Sequence, residues 1–416
     1  MVVILSSVLA PLAAFVVGAL AAPLRDGTSE VVAPSLLFNR ADSFACPVFE
    51  SWSGAKETCS GDDIIWNNKT AGGKYVTYYI LPNDATIVGS GAARRKVAVD
   101  MIEGALNTGI SYFSQWGVGV NVFIGVVGQH TAWGSASPVT GADGALESCN
   151  LIVRYPGATE DAVVTLRTKK SVVHEFYHCV QYAQNLKGRN SGSSDQRDWW
   201  MEGSARFFDG IMYPITKNDN ILGRGQFPEE YDPKGSLVDQ SYEAALFYHY
   251  LHNVGITTSQ INDWVASKMG RSTVAEDLVD IAATPLFADN WHGFAQAYVG
   301  NTVNYTTTIP IQIVNPLAYV ETVGLSQEVG EKLTTTARAI GGFKFSVGRY
   351  NFPAKTQYRV TAVQDATCSR RAVGGAWEPV SGEFDVTAEA AVEAEFLCSC
   401  NKSASCASQF VMERRS

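Results

Sequence analysis

The feature that most constrains this chain is a pair of histidines four residues apart, in the segment His174-Glu175-Phe176-Tyr177-His178. On an α-helix, residues at this spacing lie on one face, so both imidazoles can reach a single metal ion. Glu175 would lie beside them. Because a catalytic metal needs three protein ligands and one open position for water, a further ligand has to come from elsewhere in the chain.

The composition is that of a globular protein: 416 residues, 46% hydrophobic, with 17 Tyr, 19 Phe and 9 Trp. This length allows two or three domains. The formal net charge is −9, and the sequence contains no long basic run. Nucleic acids and anionic membrane surfaces are therefore not expected as partners.

Residues 1–22 carry no charged side chain and end in the small-residue pattern Ala19-Leu20-Ala21. This pattern predicts a secretory signal peptide cleaved after Ala21 or Ala22, although the usual basic segment is missing. An N-terminal membrane anchor is the alternative. No later stretch is long and apolar enough to span a bilayer, so we expect a secreted, extracellular protein without stable membrane insertion.

The chain contains eight cysteines, an even number that suits an oxidising compartment and up to four disulfides. We expect the pairs Cys46–Cys59 and Cys149–Cys179, and two bridges among Cys368, Cys398, Cys400 and Cys406. Cys179 directly follows His178 and is also a conceivable metal ligand, but on a helix it points about 100° away from that histidine. Three sequons predict N-glycosylation of a secreted chain, at Asn68, Asn304 and Asn401.

Local patterns predict a mixed sheet, the motif helix and then a helical region. The motif helix is expected to end near Leu186, before Gly188. Strands are predicted at Lys74–Leu81, Val118–Val127 and Cys149–Tyr155, with a glycine-rich loop or hairpin over Gly134–Gly144. Helices are predicted at Ala92–Phe113, Trp200–Ile211, Leu237–His252, Thr257–Met269, Thr273–Ala283 and Ala288–Tyr298. The strand Cys149–Tyr155 is also a candidate sheet edge for pairing with an extended peptide.

After about Asn301, alternating runs such as Phe343–Val347 and Tyr358–Thr361 predict a separate all-β module, a small sandwich. The expected fold class is therefore α+β. The predicted divisions are a signal peptide at 1–22, a propeptide or cap at 23–72, a domain carrying the histidine pair at 73–301, and the β-sandwich-like domain at 302–416.

The His-Glu-x-x-His pattern is a signature of zinc peptidases, which differ in their third ligand. Metzincins would have Gly at position 181 and His at position 184, but this chain has Gln181 and Gln184, which excludes that class. The other common solution takes a Glu from a later helix. Glu202 lies in such a segment, far enough after His178 for a loop between two helices.

These segments resemble the gluzincin metallopeptidases. Trp200-x-Glu202-Gly203-x-Ala205 is similar to the Glu-Gly-x-Ala third-ligand segment of aminopeptidase-type and collagenase-type gluzincins, and Tyr242–Phe247 is similar to the tyrosine-bearing helix that follows it. Met201 stands where an Asn usually precedes the Glu, and the Gly-x-Met-Glu-Asn segment of exopeptidases is missing. An aminopeptidase is therefore not indicated.

The resemblance implies a zincin-like fold in which His174, His178 and Glu202 bind Zn²⁺. Glu175 would then take a proton from the metal-bound water and deliver it to the leaving amine. Tyr242 would donate a hydrogen bond to the developing oxyanion, with His249 as a second candidate and a packing role for Tyr242 as the alternative. Other carboxylates are alternative ligands or partners of the histidines, namely Asp195, Asp198 and Asp209.

The sequence therefore predicts a secreted zinc endopeptidase that acts on protein or peptide substrates. Two alternatives stay open: a catalytically silent, peptidase-like binding protein, and an adhesion or carbohydrate-binding protein with a structural zinc. Glu175 argues against the first, because a binding protein does not need a general base. A structural zinc would require a fourth ligand, for which Cys179 is the nearby candidate. Substrate preference and oligomeric state are not set by the sequence.

Overall fold

The computed structural model describes residues 49–50, 56–57, 65–71, 74–82, 92–116, 122–127, 134–154, 162–190, 198–214, 235–268, 274–305, 311, 322–325, 328–335, 338–340 and 342–416. The described residues belong to one compact unit. The predicted signal peptide, the Cys46–Cys59 pair and Asp195 lie outside them. The predicted domain boundary near 301 stays a prediction.

A five-stranded mixed sheet precedes the motif helix, as predicted. A two-stranded pair, β1 (Phe49–Glu50) and β2 (Lys56–Glu57), comes first. The sheet itself has the order β3-β4-β5-β7-β6, and its strands are β3 (Ile65–Ala71), β4 (Lys74–Pro82), β5 (Val122–Val127), β6 (Gly134–Thr140) and β7 (Leu146–Arg154). Strands β4, β5 and β7 are parallel neighbours, whereas β3 and β6 are antiparallel to theirs.

The strand predicted as a sheet edge, β7, lies inside the sheet. Strand β7 pairs with β5 on one side and with β6 on the other, so the prediction that this segment forms an edge was wrong. The glycine-rich segment, predicted as a loop or hairpin, forms β6 and turns back into β7 through Gly144, whose φ of 76° suits glycine. Among the described strands, β6 is one edge of this sheet and β3 is the other.

Two helices pack with this sheet. Helix α1 (Ala92–Phe113) has the predicted bounds and buries Ile102, Leu106, Ile110 and Phe113 at helical spacing. The motif helix, α2 (Ala162–Asn190), continues beyond the predicted end at Leu186. A single internal glycine such as Gly188 costs only about 1 kcal/mol, too little to end a long packed helix.

Helix α2 is buried on every side around the motif, because each residue from 172 to 182 lies in the interior. A disulfide between Cys149 of β7 and Cys179 fastens it to the sheet, which confirms that predicted pair. The thiolate of Cys179 is therefore not a metal ligand. A helix enclosed in this way holds its side chains in fixed positions.

The helical region follows as predicted in most places. Its α-helices are α3 (Asp198–Met212), α4 (Ala245–Asn253), α5 (Thr258–Lys268), α6 (Val274–Ala282), α7 (Pro285–Ala288) and α8 (Trp291–Val299). The predicted helix Leu237–His252 is wrong in its first half, where two short 3₁₀ turns, Leu237–Asp239 and Tyr242–Ala244, precede α4. The break has a local cause. The carboxylates of Asp239 and Glu243 accept hydrogen bonds from the backbone N–H groups of Ser236 and Ser241 and compete with helical pairing.

The C-terminal region is all β, as predicted. Its strands are β8 (Thr322–Gly324), β9 (Lys332–Thr334), β10 (Arg338–Ile340), β11 (Lys344–Phe352), β12 (Thr356–Gln364), β13 (Thr367–Ala372), β14 (Glu378–Val380), β15 (Glu383–Ala388), β16 (Val392–Cys400) and β17 (Cys406–Arg414). They form two sheets, of order β14-β13-β16-β11-β8 and β10-β17-β12-β15, with β9 also on β17. Side chains of both sheets share a core, for example Phe396 of β16 against Phe410 of β17.

Two further disulfides, Cys368–Cys398 and Cys400–Cys406, confirm the predicted bridges in the C-terminal region. The C-terminal sheet that contains β11 packs its other face on the helices, where Phe345 lies against Trp291 and Tyr298. The helical region and the C-terminal sheet that contains β11 thus share one hydrophobic core.

Candidate metal centre

Helices α2 and α3 bring three metal-ligating side chains together, as predicted. The Nε2 atom of His174 lies 2.9 Å from Oε2 of Glu202 and 3.2 Å from Nε2 of His178, and the third distance, between His178 Nε2 and Glu202 Oε2, is 3.3 Å. Among the described residues, these three form the group that could hold a metal ion.

These distances fit a bound cation. Two ligand atoms each about 2.0–2.1 Å from a tetrahedral ion lie roughly 3.3 Å apart. Both histidine side chains are at most 7% exposed, whereas Glu202 is 26% exposed and borders solvent. Three protein ligands with one accessible side leave a position for water or substrate, as in catalytic rather than structural sites.

The far nitrogen of His174 faces a carboxylate. Its Nδ1 atom lies 3.3 Å from Oδ2 of Asp209, which the sequence had offered as an alternative ligand or histidine partner. The second role is the one observed. Asp209 also pairs with buried Lys170 and, at 3.4 Å, with Arg206. A carboxylate behind a histidine holds the ring in the tautomer whose Nε2 lone pair points at the metal.

The far nitrogen of His178 faces a neutral amide instead. Its Nδ1–H donates to Oε1 of Gln181 over 2.7 Å. The amide nitrogen of Gln181 donates in turn to the hydroxyl of Ser204 over 2.8 Å and to the carbonyl of Met201 over 3.2 Å. These bonds orient Gln181, and Gln181 therefore sets the tautomer of His178.

The electrostatics of the centre favour positive charge. Burial alone would lower the pKa of His174, but hydrogen bonds to Asp209 and Glu202 and the charges of Glu202 and Glu175 raise it to about 10. Burial would raise the pKa of the Glu202 carboxyl, but His178 and His174 hold it well below its usual range. The field that favours a proton on His174 equally favours a metal cation among the three ligand atoms.

Glu175 lies beside the ligands in a closely fitted position, 7% exposed. Strand β6 runs directly over it at Gly134. A Cβ atom built on Gly134 would come within 2.5 Å of Oε1 and 2.6 Å of Cγ of Glu175. Glycine at this point of the edge strand is therefore what leaves room for the Glu175 carboxylate.

Tyr242 reaches the same place from the break before α4. Its ring centroid is 5.6 Å from that of His174, and its side chain is half exposed. Burial, the charges of Glu202 and Glu175 and a hydrogen bond with Glu202 raise the pKa of the Tyr242 hydroxyl, which stays protonated and able to donate. Gly203 permits this approach, because a Cβ atom there would lie 2.8 Å from Cβ of Ala244.

The other candidates are not members of the group that could hold a metal ion. His249 is fully buried between the rings of Phe207 and Tyr305, closed off from solvent, which removes it as a substrate donor. His252 donates a hydrogen bond to the carbonyl of Ile256, and His292 makes hydrogen bonds with the hydroxyls of two serines. Asp198 lies in the first turn of α3, where its negative charge interacts favourably with the positive end of the helix dipole.

Sequence reasoning missed Lys170 and read Gln181 only as evidence against metzincins. Helical spacing could have identified both residues. Lys170 lies four residues before His174 and Gln181 lies three residues after His178, so each shares a helix face with its histidine. Trp199 and Trp200, which precede Glu202 on α3, are buried.

No protein-family model and no curated protein matches the sequence. Among solved structures, similarity is found to PliG, a periplasmic inhibitor of g-type lysozyme from Aeromonas hydrophila, at 11% identity over 23% of this chain and 97% of that chain, with a TM-score of 0.18. A second match is the pre-peptidase C-terminal domain of a collagenase from Bacillus anthracis, at 9% identity over 23% of this chain and 94% of that chain, with a TM-score of 0.16. Scores this low support no conclusion about function.

None of the helices in the described part of the chain combines the length and apolarity needed to cross a membrane.

Proposed function

We propose that the chain is a secreted zinc endopeptidase with a zincin-like, gluzincin-type catalytic domain. The observation that carries this proposal is the convergence of His174, His178 and Glu202 at mutual distances of 2.9–3.3 Å, with one side open to solvent. Two imidazole nitrogens and one carboxylate oxygen form a donor set typical of catalytic zinc. Three disulfides among the described residues support an oxidising, extracellular location, and the sequons would then carry glycans.

Each residue of the site has a role in peptide hydrolysis. Zinc held by the three ligands would acidify a water molecule and polarise the scissile carbonyl. Glu175 would take the proton of that water and pass it to the leaving amine. Tyr242 would donate a hydrogen bond to the oxyanion that develops as the carbonyl is attacked.

A peptide substrate would lie along strand β6. This strand is one of the two edges of its sheet among the described strands, and it is the edge that meets the site, because Gly134 at its start lies against Glu175. An extended peptide paired with β6 would therefore place its backbone beside the general base. This role had been assigned to the neighbouring strand β7, which lies inside the sheet.

The two alternative functions have less support. A structural zinc would need a fourth ligand, but the group found in the described part of the chain has three members, and Cys179 is in a disulfide. A silent binding protein would have no use for a general base enclosed so closely at Glu175.

The proposal is tested with purified parent protein and the variants Glu175→Gln, Glu202→Ala and Tyr242→Phe, by zinc analysis and by casein or gelatin cleavage. Glu175→Gln is expected to keep zinc and lose about 10²–10⁴-fold in cleavage rate. Glu202→Ala should lose much of both, and Tyr242→Phe should lower the cleavage rate alone. Glu147→Gln, an exposed carboxylate in the β6–β7 hairpin, is the matched control. Full cleavage by Glu175→Gln would refute the mechanism.

A further inference from the structure

One turn before the first histidine ligand, helix α2 carries a lysine that is almost completely buried. The side chain of Lys170 is 2% exposed, and Lys170 is among the largest fully buried residues described. Lysine is almost never fully buried unless it is paired. At four residues before His174, Lys170 lies on the same face of the helix and points toward α3.

Asp209, Tyr213 and Tyr305 surround the Lys170 ammonium behind the candidate metal centre. The ammonium forms an ion pair with Oδ1 of Asp209 and donates a hydrogen bond to the carbonyl of Tyr213 over 3.1 Å. It also lies 6.0 Å from the ring centroid of Tyr305. The ammonium is thereby fixed between two points on the last turns of α3.

The two oxygens of Asp209 are used differently. Lys170 takes Oδ1, whereas His174 Nδ1 and Arg206 contact Oδ2 at 3.3 and 3.4 Å. A carboxylate rotates freely about its last bond unless both oxygens are held. By holding Oδ1, Lys170 keeps Oδ2 directed at the ring nitrogen of His174.

We propose that Lys170 is a positioning residue for the metal centre, which acts on His174 through Asp209 and so sets the affinity for the metal. This inference rests on the proposed zinc site. A contribution to folding stability does not explain why a lysine occupies position 170, because an apolar side chain of similar length would fill the same space without burying a charge. Arg206 cannot replace it, since it shares the oxygen that His174 uses.

The test measures zinc dissociation constants of the purified chain by competition with a chromogenic chelator, and thermal unfolding of the metal-free forms. Lys170→Met is expected to weaken zinc binding about 10- to 100-fold, as Asp209→Asn should, because loss of an outer-shell partner has effects of this size. Lys169→Met, the partly exposed neighbour on the same helix, is the control and should bind zinc like the parent. Zinc binding by Lys170→Met equal to that of Lys169→Met would overturn the proposal.

The double variant Lys170→Met/Asp209→Asn separates positioning from general damage. If Lys170 acts through Asp209, the double variant binds zinc as tightly as Asp209→Asn alone. A further tenfold loss would overturn the proposal, and this comparison stands even where Lys170→Met alone does not fold, because the double variant has no unbalanced buried ion. Failure of the parent itself to bind zinc would refute the proposed function and this inference together, a result separate from the other two.

Discussion

The two histidines of the candidate metal centre are held by different chemistry. Behind His174 lies a buried ionic cluster of Asp209, Lys170 and Arg206. Behind His178 lies a neutral chain, in which Gln181 accepts from the ring and donates to Ser204. In both arrangements Nε2 faces the candidate metal position, so a charged cluster orients one ring and a neutral hydrogen-bond chain orients the other.

This difference predicts how strongly substitutions behind each histidine affect the protein. A buried ion pair is expensive to desolvate, and removing one member leaves the other charge unbalanced. A neutral hydrogen-bond chain loses only the bonds of the group removed. The His174 side should therefore be the more sensitive to single substitutions, although both sides orient a ligand.

The largest effect is expected from Asp209→Ala compared with Gln181→Ala. Loss of Asp209 removes the carboxylate that balances the Lys170 ammonium and should lower the free energy of unfolding by about 3–5 kcal/mol. Gln181→Ala should lower it by about 1–3 kcal/mol. Urea unfolding of the metal-free proteins measures both values, and equal losses would show that the charge behind His174 makes no difference.

The next effect concerns the Cys149–Cys179 disulfide, which fastens the His178 end of α2 to the sheet. Its cysteines are 30 residues apart, so replacing both with Ser should lower the free energy of unfolding by roughly 3–4 kcal/mol. Cys368–Cys398 has the same separation and lies far along the chain in the β region. Its loss should cost a similar free energy and leave zinc affinity unchanged, whereas loss of Cys149–Cys179 should also weaken zinc binding.

A weakening of zinc binding by the Cys368/Cys398 variant would contradict this contrast. It would show that zinc binding follows overall stability and not the anchoring of α2.

Much of this architecture was predictable because its signals are local. The candidate ligands His174 and His178 follow from helical spacing, and Glu202 follows from the resemblance of its segment to a known third-ligand segment. Helix α1 has its predicted bounds because its apolar residues recur at helical spacing. The hairpin of the glycine-rich segment was one of two predicted forms, but the position of β6 at an edge of the sheet was not predictable, since it depends on pairing with β7. The same holds for the partner of Lys170, which comes from another helix. The break at Ser241 has a local cause, the hydrogen bond from its N–H to Glu243, but the apolar spacing used for the prediction does not reveal it.

A third histidine, His292, lies where the helices pack on the C-terminal sheet, and its surroundings differ from those of His174. His292 of α8 bonds to the hydroxyls of Ser399 and Ser369, and burial lowers its pKa to about 4. Its neighbours are hydroxyls, whereas carboxylates raise the pKa of His174. Because the unfolded chain takes up the proton first, near pH 6.5, stability should fall as the pH drops from about 6.5 to about 4, by roughly 1–3 kcal/mol.

The variant His292→Gln, which keeps the hydrogen-bonding ability, tests this assignment. Urea unfolding at pH 7 and pH 4.5 should show a smaller pH-dependent loss in the variant than in the parent. An identical loss in both proteins would assign the acid sensitivity to other groups.

The smallest expected change in stability concerns Gly203, which follows the candidate ligand Glu202. A methyl group at Gly203 would meet Cβ of Ala244 at 2.8 Å and the carbonyl of Ser241 at 3.2 Å, so the turn that carries Tyr242 has to move. Gly203→Ala gains about 1 kcal/mol of helix propensity, which largely offsets the cost of this overpacking. Its net stability should therefore change by less than about 1 kcal/mol, while gelatin cleavage falls about tenfold because Tyr242 is displaced. Gly104→Ala in α1 is the matched control, since a methyl group there contacts nothing within 4 Å and should only stabilise the helix. If Gly203→Ala cleaved gelatin as fast as Gly104→Ala, the position of Tyr242 would not depend on the close contact at Gly203.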